Sequence, residues 1–516
     1  MFSKELAIPY HNLEWFEYMN TESRLQEGIS LHQEGKLDQA ELIYQQILQV
    51  NPENAEVLHL LGMIAYQVEK YDLSINLINQ AIEIDNRQPV FLKSLGCILQ
   101  ERKKLREAIR AYQEAIELDP ADSKIHKNLG DALKQQGELE LAIDAYNKAI
   151  EFNPHNAETY NNLGTVLQDK GNLESAIATY RKALEIDPDD QHAHLNISML
   201  HLLQGDFKNG WQQYQWRWKY EKFPSEYRDF PQLFWSGENL SGKTILVWAE
   251  QGIGDEIMFA SMLNDLRQSN TNIMVECEQR LISLFQRSFP DIQFFCRTNP
   301  PDQQLLNPNI DYQISMGSLG QWLRTDLDSF KPGQSYYLTA CPDKTAELRN
   351  KYQQLANGRK LVGISWKSTD ISQRRAKSKS TSLEYWASVL SQPNCYFINL
   401  QYGDVETEVV KLESNTNLKV YQDQEIDPLV NLDGFAAQIS ALDLVISTSN
   451  TTVHMAGALG KRVWTLLPHI PDWRWTLDRE EALWYPVMRL FRQSSIGDWQ
   501  DVFKRVSHAL SQSGTV

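Results

Sequence analysis

Two glycines and an aspartate follow a short apolar segment, and their spacing is typical of a ligand-binding loop. The segment TILVWAE (244–250) is predicted to be a strand, Gly252 and Gly254 to form a tight loop, and a helix to begin at about Asp255. Glycines let a backbone approach a ligand closely, and the first N–H groups of a helix have no partners within it. The loop could hold a reacting group, although Asp255 also suits an ordinary N-cap.

A basic stretch, WKSTDISQRRAKSK (366–379), comes later in the chain. It contains five Lys or Arg residues and one aspartate, whereas the whole chain has a formal charge of −17. Further on, DLVIST (443–448) is a predicted strand, and it leads into SNTTVHMAGALG, which places hydroxyls and His454 where a helix begins. Cations and a helix N-terminus together predict an anion site, with a diphosphate as the natural occupant. Taken singly, the second segment is better explained by Ser and Thr capping and a packed core histidine.

Three other functional interpretations are disfavoured. Residues 237–244 (GENLSGKT) match the phosphate-binding G-x-x-x-x-G-K-[ST] pattern, but here the turn enters a strand, whereas a P-loop must enter a helix. Ile257 stands where a dinucleotide-binding loop needs a third glycine, which disfavours a dehydrogenase. Asp326 and Asp328 have the spacing of a metal-chelating Asp-x-Asp, yet they follow a helix-like segment and no strand.

Composition restricts the classes of protein that remain. The 516 residues allow about three domains, and the charge of −17 disfavours a generic binder of nucleic acid or anionic membranes. The five cysteines are far apart and predict neither disulfides nor a zinc site, which fits a reducing cytosol. With no apolar run of signal-peptide or membrane-spanning length, the expectation is a soluble cytoplasmic protein.

The first half of the chain repeats every 34 residues. Glycines recur at 28, 62, 96, 130 and 164, small residues follow twelve positions later, and a large, mostly aromatic residue follows four positions after that. Small residues let two antiparallel helices approach, and the ring fills the gap beside them. This is the tetratricopeptide pattern over about residues 21–224. A sixth unit, from about Gln191, diverges into NGWQQYQWRW, as expected of a unit that caps the stack or docks it onto another domain.

Solenoids of this kind bind peptides or partner helices along a concave face. Asn128, Asn162 and Asn196 recur 34 residues apart and could form a ladder of amides that holds the backbone of a protein acceptor. The alternative is that these amides make hydrogen bonds between helices of the repeats. Leu60 and Ser94 occupy the equivalent earlier positions, so a ladder would be confined to the C-terminal repeats.

The second half changes to short apolar runs separated by helix-length segments, a pattern that predicts α/β structure. Two series of strands are expected, and they suggest two doubly wound lobes with ligands at the carboxyl ends of the strands. The predicted strands are 244–250, 272–278, 292–295 and 312–315, then 361–366, 396–401, 419–422, 443–448 and 462–468.

Three segments in this order and spacing resemble a known family: WAEQGIGDEIMFA, DLVISTSNTTVHMAGALGKRVWTLLP and PDWRWTLDREEALWYPVMRLFRQ. They look like the glycosyltransferase domain that many bacterial tetratricopeptide proteins carry, which is similar to the heptosyltransferases of GT-B fold. The architecture also resembles that of O-GlcNAc transferase. The implied domains are an N-terminal extension (1–20), the repeats (21–224), a linker (225–242), an acceptor-side lobe (243–345) and a nucleotide-sugar-side lobe (346–516).

The resemblance implies a metal-independent, inverting transfer of a sugar from a nucleotide diphosphate sugar, with no further cofactor. It implies that Asp255 is the general base and that the Ser/Thr-His loop holds the diphosphate. Heptosyltransferases commonly have Asp-Thr or Asp-Ser where this chain has Ser449-Asn450, which leaves open an altered donor or a loss of activity. The alternative function is a protein-binding scaffold with a degenerate transferase domain. The candidate donor-binding residues are Gly252, Gly254, Trp366, Lys367, Arg375, Lys379, Ser449, Asn450, Thr451, Thr452 and His454.

Overall fold

The structure is a computed structural model that describes residues 10–330, 336–368 and 378–512, with side chains described from residue 21 onward. The chain divides into two compact units, with the boundary between Ala193 and His194. The first unit is helical, and the second contains both β-sheets.

The helices of the repeats run in antiparallel pairs, and apart from the first, which has 24 residues, each has 13 or 14 residues. They are α1 (Tyr10–Gln33), α2 (Leu37–Val50), α3 (Ala55–Gln67), α4 (Tyr71–Ile84), α5 (Pro89–Glu101), α6 (Leu105–Leu118), α7 (Ser123–Gln136), α8 (Leu139–Phe152), α9 (Ala157–Asp169), α10 (Leu173–Ile186) and α11 (Gln191–Gln204). In each of three successive repeats a glycine faces a buried tyrosine ring. A Cβ built on Gly96, Gly130 or Gly164 would lie 2.5–2.7 Å from the ring of Tyr112, Tyr146 or Tyr180. The close approach inferred from the repeat pattern is therefore present.

The divergent sixth unit continues into α12 (Phe207–Tyr214), which packs on the α/β part of the second unit. The indole of Trp211 donates a hydrogen bond to the carbonyl of Arg324 (2.8 Å), and its ring lies where a Cβ on Gly320 would be. The Trp-rich segment therefore docks the sixth repeat onto the α/β fold. Docking was one of the two roles expected for this repeat.

The two sheets are parallel and have five strands each. The first contains β1 (Leu233–Phe234), β2 (Thr244–Trp248), β3 (Asn272–Cys277), β4 (Gln293–Cys296) and β5 (Tyr312–Ser315) in the order β1-β5-β2-β3-β4. The second contains β6 (Lys360–Ser365), β7 (Cys395–Asn399), β8 (Leu444–Thr448), β9 (Val463–Leu467) and β10 (Met488–Arg492) in the order β10-β9-β8-β6-β7.

The helices of this region are α13 (Ile253–Ala260), α14 (Leu263–Arg267), α15 (Ile282–Ser288), α16 (Gly320–Leu323), α17 (Pro342–Ala356), α18 (Ala387–Leu390), α19 (Glu406–Thr416), α20 (Leu432–Ser440), α21 (Thr451–Ala458) and α22 (Trp499–Gln512). In the first sheet the chain runs outward from β2 to β3 and β4 and then crosses back to β5 on the other side of β2. In the second sheet it runs from β6 to β7 and then crosses back to β8 on the other side of β6, so the direction of the connections reverses at β2 and at β6. Parallel sheets bind ligands beyond the carboxyl ends of strands at such reversals. The loops after β2 and β6, and the loop after β8 beside them, are the segments that the sequence singled out.

Three expectations about strands are corrected. Residues 419–422 do not form a strand, because only Tyr421 makes an isolated bridge to Ile398. The linker expected at 225–242 contains the edge strand β1, which pairs with β5, and β10 was not predicted. β1 has only two residues, too few to show an apolar period, and in β10 two arginines interrupt the apolar residues.

Candidate functional site

The loop after β2 contains the proposed catalytic aspartate. Helix α13 begins at Ile253, two residues before the expected start, because Gly252 is its N-cap. Asp255 is the third residue of this helix, and its Oδ2 accepts a hydrogen bond from the backbone N–H of Gly252 (3.3 Å). Asp255 therefore does cap the helix, but this uses only one carboxylate oxygen.

The other oxygen, Oδ1, accepts a hydrogen bond from Nη2 of Arg474, a residue of the segment that follows β9. Nη1 of Arg474 donates to Oδ1 of Asp472, and Nζ of Lys379 lies 3.7 Å from Oδ2 of Asp472. We call Asp255, Arg474, Asp472 and Lys379 the charge cluster. The four side chains are only 12–19% exposed, and their two positive and two negative charges balance.

Asp472 and Arg474 of the charge cluster are held in their ionised forms. Burial would raise the pKa of Asp472, but the nearby Arg474 and Lys379 cations lower it well below its usual range. Burial would likewise lower the pKa of Arg474, and the Asp255 and Asp472 carboxylates raise it instead. Since each charge stabilises its neighbour, Asp472 and Arg474 keep their ion pair across the pH range in which proteins function.

Sequence reasoning missed Arg474 and Asp472 as site residues. Both lie in PDWRW, which carried the family resemblance but contains no glycine-rich loop and no run of hydroxyls. The ring of Trp473 lies 4.6 Å from the Arg474 guanidinium and supports it. A cation between two bulky aromatic residues was a usable signal, because Arg commonly stacks on aromatic rings.

Gln251 connects this site to the sixth repeat unit. Its backbone has φ +65°, a left-handed conformation that non-glycine residues rarely adopt. Its amide group donates a hydrogen bond to the hydroxyl of Tyr214 in α12, and its Oε1 lies 3.3 Å from Nη2 of Arg474. A strained residue that contacts both the repeat helix and the charge cluster is typical of a functional loop.

The loop after β8 meets the loop after β2. Asn450 caps α21 by accepting a hydrogen bond from the N–H of Thr452 (3.0 Å). A Cβ on Gly254 would lie 3.1 Å from the ring of His454 and 3.5 Å from the Cα of Thr451. The structure thus brings together Gly254, Thr451 and His454, which the sequence placed on different lobes.

His454 is buried and uncharged. Its ring stacks on Trp475 at 5.3 Å, and Nδ1 lies 3.0 Å from the hydroxyl of Tyr485. Burial, together with the nearby Arg474 cation, lowers the pKa of His454 to about 3. The neutral ring packs as a core histidine does, at the wall of the candidate site.

Ser449 and Asn450 hold neighbouring segments together. Ser449 Oγ accepts a hydrogen bond from the indole of Trp475 (2.8 Å). The Asn450 amide donates to Ser365 Oγ (2.7 Å) and to the carbonyl of Lys367 (2.9 Å), which ties β8 to the end of β6. Thus both residues have positioning roles in this structure.

The basic stretch after β6 is only partly described. Trp366 lies in the core of the second sheet, with its indole donating to Glu408, and the Lys367 ammonium pairs with the same carboxylate. Lys379 belongs to the charge cluster, and Arg375 lies outside the described residues. In the motif that resembles a P-loop, Lys243 forms an ion pair with Asp311 (2.8 Å), and the turn leads into β2 as expected.

The asparagines of the proposed ladder contact the preceding repeats. Asn128 donates a hydrogen bond to Cys97 Sγ (3.4 Å), and Asn162 donates to Asp131 Oδ1 (2.9 Å). Asn196 is half-buried on α11. For Asn128 and Asn162 the structure therefore contains the contacts between repeats that the alternative interpretation expected.

Comparison with known proteins identifies the first half of the chain. Family models described as TPR repeat or tetratricopeptide repeat match residues 31–93, 96–137, 130–171 and 157–190. The N-terminal part of the chain, about 200 residues, therefore consists of tetratricopeptide repeats, a class of structure that supports protein binding.

Among curated proteins, the chain is similar to Protein FlbA of Caulobacter vibrioides, with 32% identity over 321 residues. The match covers 60% of this chain, which spans about half (53%) of the length of that relative. Solved structures that match include MamA, with 27% identity, a TM-score of 0.30 and coverage of 31% of this chain and 94% of that chain. Another is YrrB, a TPR protein with an unusual peptide-binding site, with 23% identity, a TM-score of 0.30 and coverage of 33% and 88%. Among the described residues, no helix is long and apolar enough to cross a membrane.

Proposed function

We propose that the second unit is a glycosyltransferase of GT-B type, with the two parallel sheets as its two lobes, and that the repeats recruit a protein acceptor. The reaction is an inverting transfer of a sugar from a nucleotide diphosphate sugar, without a metal. One observation carries the proposal: a carboxylate at the end of one sheet meets cations and a helix N-terminus at the end of the other.

The residues of this site suit the chemistry. An acceptor hydroxyl must lose its proton as its oxygen attacks the sugar carbon, and a placed carboxylate such as Asp255 assists this by roughly 10²–10⁴-fold. The bond from the sugar carbon to the diphosphate breaks in the same step, and the leaving group gains charge. Lys379, Arg375 and the N-terminus of α21 at Thr451 and Thr452 would stabilise that charge.

The first experiment is a thermal-shift screen of nucleotide sugars against the full chain. A donor at 100 times its dissociation constant stabilises the folded state by about 2.7 kcal/mol. The expected result is a raised melting temperature with one nucleotide sugar, and a smaller shift with the same sugar lacking its nucleotide. If no nucleotide sugar raises the melting temperature, the chain does not bind the donor that the proposed reaction requires, and the proposal is contradicted.

The second experiment tests the role of Asp255. In Asp255→Asn, transfer from the donor found in the screen should fall by 10²-fold or more, because an amide cannot accept the proton. Lys379→Ala should weaken binding of the nucleoside diphosphate more than binding of the nucleoside. Unchanged turnover in the Asp255 variant would remove this residue from the mechanism.

A protein-binding scaffold is the second candidate function. The observation that favours it is the ion pair between Asp255 and Arg474, which leaves both carboxylate oxygens of Asp255 already engaged by hydrogen bonds. In a scaffold this pair would be purely structural. The two candidates differ in the thermal-shift screen, because a scaffold has no reason to bind a nucleotide sugar.

A further inference from the structure

Arg474 competes for the carboxylate that catalysis by Asp255 would use. Its guanidinium occupies Oδ1 of Asp255, while the backbone N–H of Gly252 occupies Oδ2. Each carboxylate oxygen has two lone pairs, so an acceptor hydroxyl that is to give its proton to Asp255 competes with these donors for the carboxylate. The Gly252 bond caps α13 and belongs to the fold, whereas Arg474 comes from a distant segment, so Arg474 is the donor that can leave.

The same guanidinium faces the place where a diphosphate is expected. Arg474 and Lys379 both pair with Asp472, beside His454 and the first turn of α21. The four charges of the charge cluster balance, so a dianion that binds here competes with Asp255 and Asp472 for the two cations. An Arg guanidinium binds phosphate oxygens through two parallel hydrogen bonds, which makes a diphosphate a strong competitor for a carboxylate.

We propose that Arg474 exchanges Asp255 for the diphosphate of the donor, so that binding of the donor frees the catalytic carboxylate. This inference rests on the proposed function and adds an order to it: the donor binds first, and the base becomes available afterwards. An enzyme of this design has an available base only while a donor is present. Arg474 is then both a diphosphate-binding residue and a positioning residue for Asp255.

The exchange makes a prediction opposite in sign to that of a simple binding site. Asp255→Asn removes a competitor for Arg474 and should tighten binding of a nucleoside diphosphate by about fivefold or more, within the usual range of coupling between sites. Arg474→Gln should weaken the same binding by about tenfold. In the double variant the gain from Asp255→Asn should disappear, because there is no cation left to release.

The measurement is isothermal titration of the full chain with uridine diphosphate, guanosine diphosphate and inorganic pyrophosphate. Asp265→Asn is the matched control, since Asp265 also pairs with an arginine, Arg324 at 2.9 Å, in the same unit. It removes the same charge and should leave binding unchanged. Arg474→Lys keeps the positive charge and replaces Arg474→Gln if the neutral variant fails to fold.

The outcomes separate the two proposals. If a diphosphate binds the natural chain, and Asp255→Asn binds it equally or more weakly, the exchange is wrong and the proposed function stands. An equal gain in Asp265→Asn would also overturn the exchange, because the effect would then be one of net charge. If none of the probes binds either the natural chain or Asp255→Asn, and the donor screen is negative as well, the proposed function itself fails.

Discussion

Glu256 follows Asp255 in α13, but its carboxyl group lies in a different environment. It is 3% exposed, and its Oε2 accepts a hydrogen bond from the backbone N–H of Glu278 (2.9 Å). Burial, with a smaller contribution from the Glu278 carboxylate, raises the pKa of Glu256 to about 8. The two adjacent carboxyl groups thus differ, since Asp255 pairs with the Arg474 cation and Glu256 is protonated at neutral pH.

This difference predicts a dependence of stability on pH. A carboxyl group whose pKa is raised on folding binds more protons in the folded state, so its contribution to stability falls as the pH rises from about 4.5 to about 8. Glu256→Gln keeps a neutral, hydrogen-bonding side chain. Its melting temperature should match that of the natural chain near pH 4 and exceed it by a few degrees near pH 8.

Thermal unfolding at a series of pH values measures this, with Glu480→Gln, an exposed substitution, as the control. A difference between Glu256→Gln and the natural chain that stays constant with pH would contradict the assignment, because the effect would then come from packing and not from titration.

The turns between the paired helices of the repeats share one backbone conformation. Gly35, Gly137, Gly171 and Gly205 have positive φ values of 76–94°, and they lie at equivalent positions of the 34-residue period. Glu69 and Lys103 occupy the same position in the second and third repeats with φ of 59° and 60°. Non-glycine residues are strained in this region, so these two turns are less favourable than their equivalents.

Replacing Glu69 and Lys103 by glycine should stabilise the first unit by about 0.5–1 kcal/mol each, since the relief of strain exceeds the entropy that glycine adds to the unfolded chain. Urea unfolding followed by circular dichroism gives the change. Gly137→Ala is the reverse test and should destabilise the same unit. A loss of stability in the glycine variants would show that the side chains of Glu69 and Lys103 matter more than the backbone.

A buried ion pair holds the segment after α12 against the first sheet. Arg217 and Glu250 are fully buried and form two hydrogen bonds of 2.7 and 2.8 Å, and Arg217 also donates to Ser315 and Ser318. Removing one member of such a pair leaves an uncompensated charge, which costs about 3–5 kcal/mol. Arg217→Met should therefore strongly destabilise the second unit in urea unfolding.

The double variant Arg217→Met, Glu250→Gln, compared with Arg217→Met alone, shows whether the uncompensated carboxylate causes the loss of stability. The amide introduced by Glu250→Gln would keep an oxygen for the backbone N–H of Gly317, which now donates to Glu250 Oε1 (2.7 Å), and would remove the charge. Much of the stability should then return. If the double variant is no more stable than Arg217→Met, the loss comes from packing of the arginine and not from the buried carboxylate.

The asparagines of the proposed ladder could either bind an acceptor or hold neighbouring repeats together. Asn128 and Asn162 donate to side chains of preceding repeats, so replacing both by Ala should lower the melting temperature of the first unit, with about 0.5–1.5 kcal/mol lost for each hydrogen bond. The measurement pairs thermal unfolding with the Michaelis constant for a protein acceptor. A variant that melts normally but needs ten times more acceptor would favour the ladder.

The sequence alone determined the repeats, most of the strands and two loops of the candidate site. The 34-residue period is a local pattern that each unit repeats, and the central parallel strands are continuous apolar runs, so both can be found without knowing what packs against them. The Gly-Asp loop and the Ser/Thr-His loop were found for the same reason. Glycines or hydroxyls that follow an apolar strand indicate a ligand-binding loop without knowledge of the tertiary contacts.

Only the tertiary structure decided how the candidate site is assembled. Arg474 lies 219 residues after Asp255, and Tyr214 belongs to a helix that the sequence assigned to the repeats, so no local pattern could pair them. Ion pairs and edge strands depend on which segments the fold brings together. Because the charge of Asp255 is balanced by a distant residue, the sequence could identify the carboxylate as a candidate but could not show that it is paired with Arg474.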